Sequence, residues 1–307
     1  MVSEGLRKPL ALCIALHALA FSSQAQELEP RRWSHLPTGT HVAGAGYAYT
    51  SGDIVFNPVL RIEDAEADLH TFAAKYIQTF ELLGKSVRFD LTQSYHSGRW
   101  EGLLDGVPAS TERNGLSDTV VRFSVPLVGA PLLRGKDFAA YRAARQSETI
   151  VGMGLAVQLP TGLYYSDKLI NLGSNRYTFR PQLGVVHNRG KWSTELTGAI
   201  WLFTDNDDFF DGNRLENDPL YTIQGHVVYT SRPGLWLAGG AGYGYGAEST
   251  LNGVQKGDRR ESLVLGGSLG YPLTRRLGAK VGYLCSRTQT SLGADTDTVV
   301  GAMSFLW

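Results

Sequence analysis

The chain has 307 residues with 29 basic and 29 acidic side chains, so its formal net charge is zero and a polyanion such as nucleic acid is not indicated as a partner. Beyond the N-terminus no run of about 18 apolar residues occurs, which excludes membrane-spanning helices. Its 36 glycines exceed the usual share of about 7%, and together with 6 Trp, 14 Tyr and 12 Phe they are typical of β-barrels.

The N-terminus has the pattern of a secretory leader. Arg7 and Lys8 precede an apolar run at residues 10–21, and Ser23-Gln24-Ala25 supplies the small residues of a cleavage site. A short anchor helix is the poorer interpretation, because this run is too short to cross a bilayer. We therefore predict a signal peptide at residues 1–25, followed by a short N-terminal periplasmic segment at residues 26–38.

The sequence contains two cysteines. Cys13 lies in the predicted leader, and the bulky Leu12 before it does not fit a lipoprotein processing site. Cleavage leaves Cys285, so no intramolecular disulfide is expected in the mature protein. The residues around Cys285 place it on the lipid-facing side of a strand.

From residue 39 to residue 307, apolar residues recur at every second position in runs separated by turn signals. This period indicates strands whose two faces have different surroundings. We predict about twelve strands, at residues 40–50, 70–83, 87–92, 121–125, 151–159, 177–185, 195–202, 221–229, 235–247, 263–271, 277–286 and 299–307. The polar or acidic segments 61–68, 96–117 and 204–218 are predicted to be loops, and residues 137–146 a helix.

The last predicted strand ends in Phe305 and Trp307 on one face. A soluble domain rarely ends on an exposed aromatic edge strand. In a closed outer-membrane barrel the last strand pairs with the first, and its terminal aromatic residue lies at the membrane interface. The ending also resembles the C-terminal signal that the outer-membrane insertion machinery recognises. The predicted fold is an all-β, transmembrane antiparallel up-and-down barrel at residues 39–307, in contact with the lipid bilayer and lipopolysaccharide of the bacterial outer membrane.

The lengths of the predicted connections agree with this fold. Twelve is an even number, which puts both termini on the periplasmic side. Tight turns follow strands two, six, eight and ten, whereas longer connections follow strands one, three, five, seven and nine. This is the asymmetry between short periplasmic turns and long external loops, with the helical connection after strand four as the exception.

Charged residues decide which face of each strand meets lipid. An Arg or Lys on the lipid face costs roughly 2–4 kcal/mol at mid-bilayer, so the charged face is predicted to line the interior. The predicted lumen-lining residues are Lys75, Glu81, Arg88, Asp90, Arg122, Arg180, Glu195, Gln224, His226 and Lys280. Two interpretations remain open: the charges pair with one another and plug the barrel, or they form a polar constriction that selects solutes.

Several motifs resemble one family. They are the stretches 160–164 (PTGLY), 169–176 (LINLGSNR) and 181–184 (PQLG), with further likeness at 28–40 and 218–220. These stretches are similar to the phenol-degradation meta proteins, a family of outer-membrane transporters encoded near aromatic-catabolism genes. The likeness covers most of the mature chain. The resemblance implies passage of small hydrophobic or aromatic compounds, and it supplies no substrate residues.

The predicted external loop at residues 161–175 carries Tyr164, Tyr165, Leu169 and Ile170. These side chains either fold inward, as a plug or a first contact for a hydrophobic solute, or pack against neighbouring loops.

The predicted loop 204–218 contains Asp205, Asp207, Asp208 and Asp211. Its spacing misses the calcium-loop pattern because Phe209 stands where a ligand is needed, so a solvated acidic loop is favoured. No metal and no cofactor are predicted.

An enzyme is the least favoured class. His96 and Ser97 are adjacent, but neighbouring residues of a strand point to opposite faces, so His96 is badly placed to act as a base for Ser97. The sequence therefore predicts a channel for passive uptake of small hydrophobic or aromatic solutes and no catalytic residues. The alternatives are a structural or interaction barrel with a plugged lumen and an outer-membrane hydrolase.

Overall fold

The computed structural model describes residues 28–55 and 62–307. The predicted signal peptide lies outside the described residues. Within the described part, no helix is long and apolar enough to cross a membrane.

Most of the described chain is extended. The strands are β1 His41–Val55, β2 Ile62–Leu82, β3 Lys85–Leu104, β4 Val107–Leu116, β5 Thr119–Val128, β6 Ser147–Leu159, β7 Thr178–Arg189, β8 Trp192–Phe203, β9 Asn206–Phe209, β10 Asn213–Asn217, β11 Leu220–Arg232, β12 Leu235–Gly246, β13 Ser249–Leu251, β14 Val254–Gln255, β15 Arg260–Pro272, β16 Leu277–Thr288 and β17 Gly293–Leu306. One helix, α1 Gly135–Ala144, connects β5 to β6 and confirms the predicted helical connection.

Twelve antiparallel strands close into a barrel, as predicted. Their order around the wall is β1, β2, β3, β5, β6, β7, β8, β11, β12, β15, β16 and β17. The last strand returns to the first, with Val42 opposite Leu306 and Val55 opposite Gly293. Closure leaves no unpaired edge, which is what a spanning sheet requires in lipid.

Side chains alternate between the two faces of the wall, because successive residues of a strand point to opposite sides. In β7 the outward Phe179 and Leu183 are exposed, whereas the inward Arg180 and Gln182 are buried. The outer face is therefore apolar and the inner face largely polar, as in a membrane barrel.

Short turns gather at one end of the barrel, which we call the turn end. The connection between β2 and β3 is Leu83-Gly84, with φ of 50° and 72° at the two residues. Two successive positive φ angles are the geometry of a type I′ turn, which matches the twist of the flanking strands. The longer connections lie at the opposite end, the loop end, except for the connection with α1 between β5 and β6, which lies at the turn end.

Two segments predicted to be loops are strands, and this part of the prediction is wrong. Residues 62–68 belong to β2, and residues 96–116 form the outer half of β3 and its partner β4. In the extension of β2, Ala67 and Leu69 face inward and are buried, while Glu66 and Asp68 face outward. The apolar face thus turns inward beyond the lipid-facing band, so a search for outward apolar residues misses these strands.

The predicted loop 204–218 also contains structure. Its strands β9 and β10 join β13 and β14 in a separate four-stranded sheet at the loop end. Phe209, Leu215 and Leu251 form the buried apolar side of this sheet.

Candidate functional site: a lumen closed at two levels

The segment preceding β1 lies inside the barrel. Residues 26–38 were predicted to be periplasmic; their described part, from residue 28, is bonded to inward residues of five strands instead. We call residues 28–36 the N-terminal segment. Its side chains bond to Lys75, Arg122, Gln182 and Thr197, its main chain to Arg88 and Glu195.

Trp33 fixes this segment. The indole is 6% exposed, and its Nε1 donates to Thr197 Oγ1 at 2.8 Å. It occupies a slot that exists because two inward positions are glycine. A Cβ on Gly184 would stand 2.0 Å from Trp33 Nε1, and one on Gly152 would stand 2.7 Å from its Cε3. The ring therefore fits only while both positions lack a side chain.

Glu29 lies at the centre of a charged cluster. Its carboxylate is 2.5 Å from Lys75 Nζ, 3.2 Å from Arg32 Nη2 and 3.4 Å from Arg122 Nη1. Burial opposes the ionised form, but the positive charges of Lys75, Arg32, Arg122 and Arg88 hold the pKa of Glu29 well below its ordinary value. A carboxylate that sequence reasoning placed in the periplasm thus neutralises the predicted interior cations.

Asp90 completes the cluster from the wall. Arg88 donates to both of its oxygens, at 2.6 and 2.9 Å, and Lys75 Nζ lies 3.7 Å away. The structure therefore brings together four of the predicted lumen residues, Lys75, Arg88, Asp90 and Arg122, around a fifth group that was not predicted. Bidentate geometry and several partners for each charge make this a stable closed network.

The other predicted lumen residues are spread along the inner wall. Glu195 accepts a hydrogen bond from the Arg31 main-chain N–H at 2.8 Å, and Arg180 lies 4.2 Å over the Trp201 ring. Gln224 and His226 occupy inward positions of β11, the latter buried.

Glu81 and Lys280 do not join the cluster. Glu81 is exposed near the turn end of β2, where its carboxylate pairs with Arg134 at 3.2 Å. Lys280 lies on the inward face of β16, opposite Gly270 and Ala302 in the neighbouring strands.

A second closure lies at the loop end and is apolar. We call it the outer cluster. Its buried members are Ile54, Ala65, Ala67, Leu69, Trp100, Ile170 and Leu172, with Leu163 and Leu169 packed against them. Ile170 and Leu172 come from the connection between β6 and β7, so this loop folds into the barrel mouth. Of the two interpretations left open, inward folding describes Leu169 and Ile170, although Leu169 also touches the neighbouring cluster around Phe209.

Asp118 holds that loop in place. Its carboxylate accepts hydrogen bonds from Gly162 N at 2.8 Å, Ser174 N at 2.9 Å and Gln158 Nε2 at 2.9 Å. Both ends of the loop are thus tied to one residue. The two ends also touch, since a Cβ on Gly162 would lie 2.7 Å from Gly173 Cα. These contacts leave no room for a side chain at either glycine.

The two tyrosines of the loop behave differently from each other. Tyr164 Oη donates to the Asp208 carbonyl at 2.9 Å and accepts from Asn206 Nδ2 at 2.9 Å. It therefore packs against the neighbouring loop. Tyr165 is exposed.

The acidic loop is held by an arginine. Arg214 pairs with Asp205 at 2.5 Å, with Glu216 at 2.8 Å and with Asp207 at 3.5 Å. Among the residues that the structure describes, no group of three or more His, Cys, Asp or Glu side chains could hold a metal ion.

His96 and Ser97 lie on opposite faces of β3. His96 is buried inside, where its Nδ1 lies 2.8 Å from Thr71 Oγ1, and Ser97 is on the outward side. The pair therefore lacks the nucleophile–base contact that a hydrolase needs.

The C-terminal aromatic residues lie outside, at the turn end. Trp307 is half-exposed, stacks on His41 with ring centroids 5.5 Å apart and contacts Phe305 at 5.8 Å. This position suits the membrane interface. Their role as an insertion signal stays a prediction.

Between the two closures the lumen retains a small cavity. It has room for about one water molecule. Its lining combines wall residues with one residue of the N-terminal segment: Arg32, Arg180, Gln182, Thr197, Ala199, Trp201, Thr222, Ile223 and Gln224. A solute larger than a water molecule fits this cavity only if one of the lining residues moves.

Comparisons with known proteins identify the family to which the chain belongs. The model of the family described as "Putative MetA-pathway of phenol degradation" matches residues 37–292. No curated protein matches the sequence. An outer membrane channel from Pseudomonas putida F1, known from a crystal structure, is 20% identical with a TM-score of 0.74, covering 92% of this chain and 100% of that one. This likeness shows the shared barrel fold.

Two further structures are more distant. The β domain of the Bordetella autotransporter BrkA is 9% identical with a TM-score of 0.47, covering 88% of this chain and 100% of its own. The monoaromatic hydrocarbon channel CymD is 8% identical with a TM-score of 0.43, covering 96% and 97%. Neither likeness is close enough to carry an argument about this chain.

Proposed function

We propose, because the chain belongs to the family of the phenol-degradation pathway, that it is an outer-membrane channel for passive uptake of small hydrophobic or aromatic compounds. A closed barrel of twelve strands with an apolar outer face belongs in the bacterial outer membrane. The observation that carries the proposal is the outer cluster. Its buried apolar side chains close the mouth of the barrel, so a solute that enters from outside displaces them and contacts them as it passes.

The chemistry of the mouth sets the class of solute. When the outer cluster opens, Ile170, Leu172 and Trp100 offer dispersion contacts and no charge, so a hydrated ion or sugar gains nothing by entering. Below this level, the cavity beside Trp201 and Arg180 offers an aromatic face and hydrogen-bonding groups. A small aromatic molecule with at most one polar group matches the chemistry of both levels, and it enters them once they widen.

One observation supports the alternative function, a structural or interaction barrel with a plugged lumen. The network around Glu29 fills the lumen with paired charges, which is what a structural or interaction barrel with a plugged lumen would show. Under our proposal the same network is a closed state that must open. The channel and the plugged barrel predict different results when Trp33, which holds the N-terminal segment, is removed. Solute flux should rise in a channel and should stay absent in a plugged barrel.

The remaining assignments are also proposals. The placement of His96 and Ser97 supports a protein that is not an enzyme. Lipopolysaccharide around the loop end and the insertion machinery acting on the C-terminal strand are the partners we propose in addition to lipid and solute.

Uptake by cells is the decisive experiment, because small aromatic molecules cross plain phospholipid vesicles without a channel. Initial uptake of a radiolabelled phenol at low concentration is compared between bacteria expressing the chain, the Trp33→Ala variant and an empty vector. We expect the chain to raise uptake and Trp33→Ala to raise it further, while uptake of a labelled disaccharide stays at the vector level. Phenol uptake at the vector rate for both proteins would favour the plugged barrel.

A further inference from the structure

We propose that the cavity between the two closures is a subsite for a carboxylate, and that the solutes taken up are aromatic acids in their ionised form. This inference rests on the proposed uptake function and names the substrate class within it. It depends on three features: the groups that line the cavity, a buried donor without a partner, and a second arginine–aromatic pair nearer the barrel mouth.

The groups that line the cavity are suited to an anion. Among the described residues that line it are two guanidinium groups, of Arg32 and Arg180, and no carboxylate. Gln182 accepts a hydrogen bond from Arg32 Nη1 at 2.8 Å through its oxygen, so its NH2 group is the half that can donate to a ligand. A carboxylate has acceptor atoms only and is satisfied by such a lining, whereas an ammonium group finds no charged partner in it.

Arg180 is held in an orientation that suits the binding of a carboxylate. Its side chain is buried, and its guanidinium carbon lies 4.2 Å from the centroid of the Trp201 ring. Stacking uses the face of the planar group, so its N–H donors point along the plane and away from the ring face. Two parallel N–H groups on such an edge match the two oxygens of a carboxylate. Arg180 is therefore the residue that holds the carboxylate.

A buried donor beside Arg180 lacks a partner. Trp201 lines the cavity and is 5% exposed, and its indole N–H has no hydrogen-bond partner within the described residues. Leaving a buried N–H unbonded costs free energy, and a ligand oxygen in the cavity recovers that cost. A carboxylate beside Arg180 brings acceptor oxygens to the same place, so the arginine and the indole favour the same ligand.

A second arginine–aromatic pair lies one step nearer the loop end. The guanidinium carbon of Arg176 is 4.6 Å from the centroid of the Phe203 ring, and Phe203 is two residues, or about 7 Å, beyond Trp201 along β8. Between the two pairs, the hydroxyl of Thr178 is 1% exposed and has no hydrogen-bond partner in the described part of the chain. A carboxylate that comes from the mouth thus meets a positive charge and a donor before it reaches Arg180.

The outer cluster suits the other half of such a molecule. When the cluster opens, Trp100, Ile170 and Leu172 contact the aromatic ring by dispersion, as they would contact the ring of a neutral solute. An inorganic anion lacks the ring, and a phenol lacks the charge. An ionised aromatic acid therefore uses both levels of the lumen, with the carboxylate as its single polar group.

Three labelled compounds that share one ring separate recognition of the carboxylate from uptake of aromatic compounds in general. At about pH 7 benzoate is negative, benzamide is neutral and benzylammonium is positive. Initial uptake of each is measured in bacteria expressing the native chain, and the uptake with an empty vector is subtracted. We expect benzoate to enter several-fold faster than benzamide and at least tenfold faster than benzylammonium, because the cavity supplies charged partners for the carboxylate alone.

Arg180→Gln tests the assigned residue. The amide keeps polarity but lacks both the charge and the fork, so benzoate uptake should fall at least tenfold while benzamide uptake changes less than twofold. Arg180→Lys keeps the charge without the fork and should give an intermediate rate for benzoate. Lys280→Gln is the matched control, because it removes an inward positive charge of β16 that does not line the cavity; both rates should stay native.

The results distinguish failure of the subsite from failure of the channel. Benzoate uptake by the native chain that is no faster than benzamide uptake, or an equal loss of both in Arg180→Gln, would overturn the carboxylate subsite and leave the channel standing. The order of the three compounds on the native chain decides even where Arg180→Gln fails to insert into the membrane. Uptake of all three at the vector rate would instead refute the proposed function, and with it the subsite.

Discussion

At the scale of single residues, the lumen is shaped by the absence of a side chain at Gly184 and Gly152. Each faces inward at the level of Trp33, and together they leave the slot that its indole fills. The alternation of the strands predicts that these positions face the interior. It does not predict that a side chain from residue 33 will occupy the space, because the contact joins residues far apart in the chain.

Gly184→Ala should therefore expel Trp33. The added methyl group overlaps the indole, and overpacking of this kind costs about 1–3 kcal/mol. We expect trypsin to cleave after Arg31 or Arg32 about tenfold faster than in the native protein, as judged by mass spectrometry. Gly198→Ala is the control, because a Cβ there has nothing within 4 Å. Equal cleavage in the two variants would show that Trp33 does not hold the segment.

Acid should release the N-terminal segment through Glu29. Because Lys75, Arg32, Arg122 and Arg88 hold its pKa below the ordinary value, its contribution is complete above about pH 4.5 and is lost as pH falls through the lowered pKa. Single-channel conductance in a planar bilayer should be unchanged between pH 7 and pH 5 and should rise at more acidic pH.

Glu29→Gln provides the control for this titration. Without the carboxylate, the segment should be less stably held at pH 7 by about 1–3 kcal/mol, and the conductance should already be high. A variant with the same acid-induced step as the native protein would assign the step to another group.

At the scale of elements, one loop and one N-terminal segment decide whether the lumen is open. The loop between β6 and β7 enters the mouth with Ile170 and Leu172, and Asp118 ties both of its ends. The family motif marked this loop in the sequence, but its direction was left open there. The same apolar side chains could be buried by folding into the barrel or by packing against neighbouring loops. Only the positions of the neighbouring strands decide between these two arrangements.

Leu172→Ser tests the outer closure. The side chain is 4% exposed, and losing its burial costs about 1.5–3 kcal/mol, so the loop should leave the mouth more often. We expect a higher conductance for small ions in planar bilayers. Tyr165→Ser, in the exposed part of the same loop, should conduct like the native protein. A Leu172→Ser channel as closed as that control would mean that the outer cluster does not close the mouth.

At the scale of the whole molecule, closure of the barrel makes its outer wall a lipid-facing surface. The apolar outward residues of β15, Leu265 and Leu269, continue a band that runs around the barrel, whereas the inner wall carries the charges. The free energy of insertion therefore depends on where along a strand a charge is added.

Leu265→Arg should destabilise the barrel by about 2–4 kcal/mol, because it puts a charge in the middle of the lipid-facing band. Tyr271→Arg near the turn end should cost about 0–1 kcal/mol. Reversible denaturant unfolding from lipid vesicles measures both changes. Equal losses of stability would contradict the assignment of the outer wall to lipid.

The sequence by itself determined the barrel, its twelve strands, the inward and outward faces and the family. These properties follow from local alternation, and a one-residue slip of β3 or β7 would expose Arg88 or Arg180 to lipid. The extensions of β2 and β3 were missed because their apolar face turns inward, against the rule that identified the other strands.

Only the tertiary structure decided that the lumen is closed, and by what. Glu29 and Trp33 meet partners from strands more than 40 residues away along the chain. Alternation fixes the side on which a residue lies but not its partner across the lumen. Those partners are set by the closing of the barrel around a segment that precedes it in the chain.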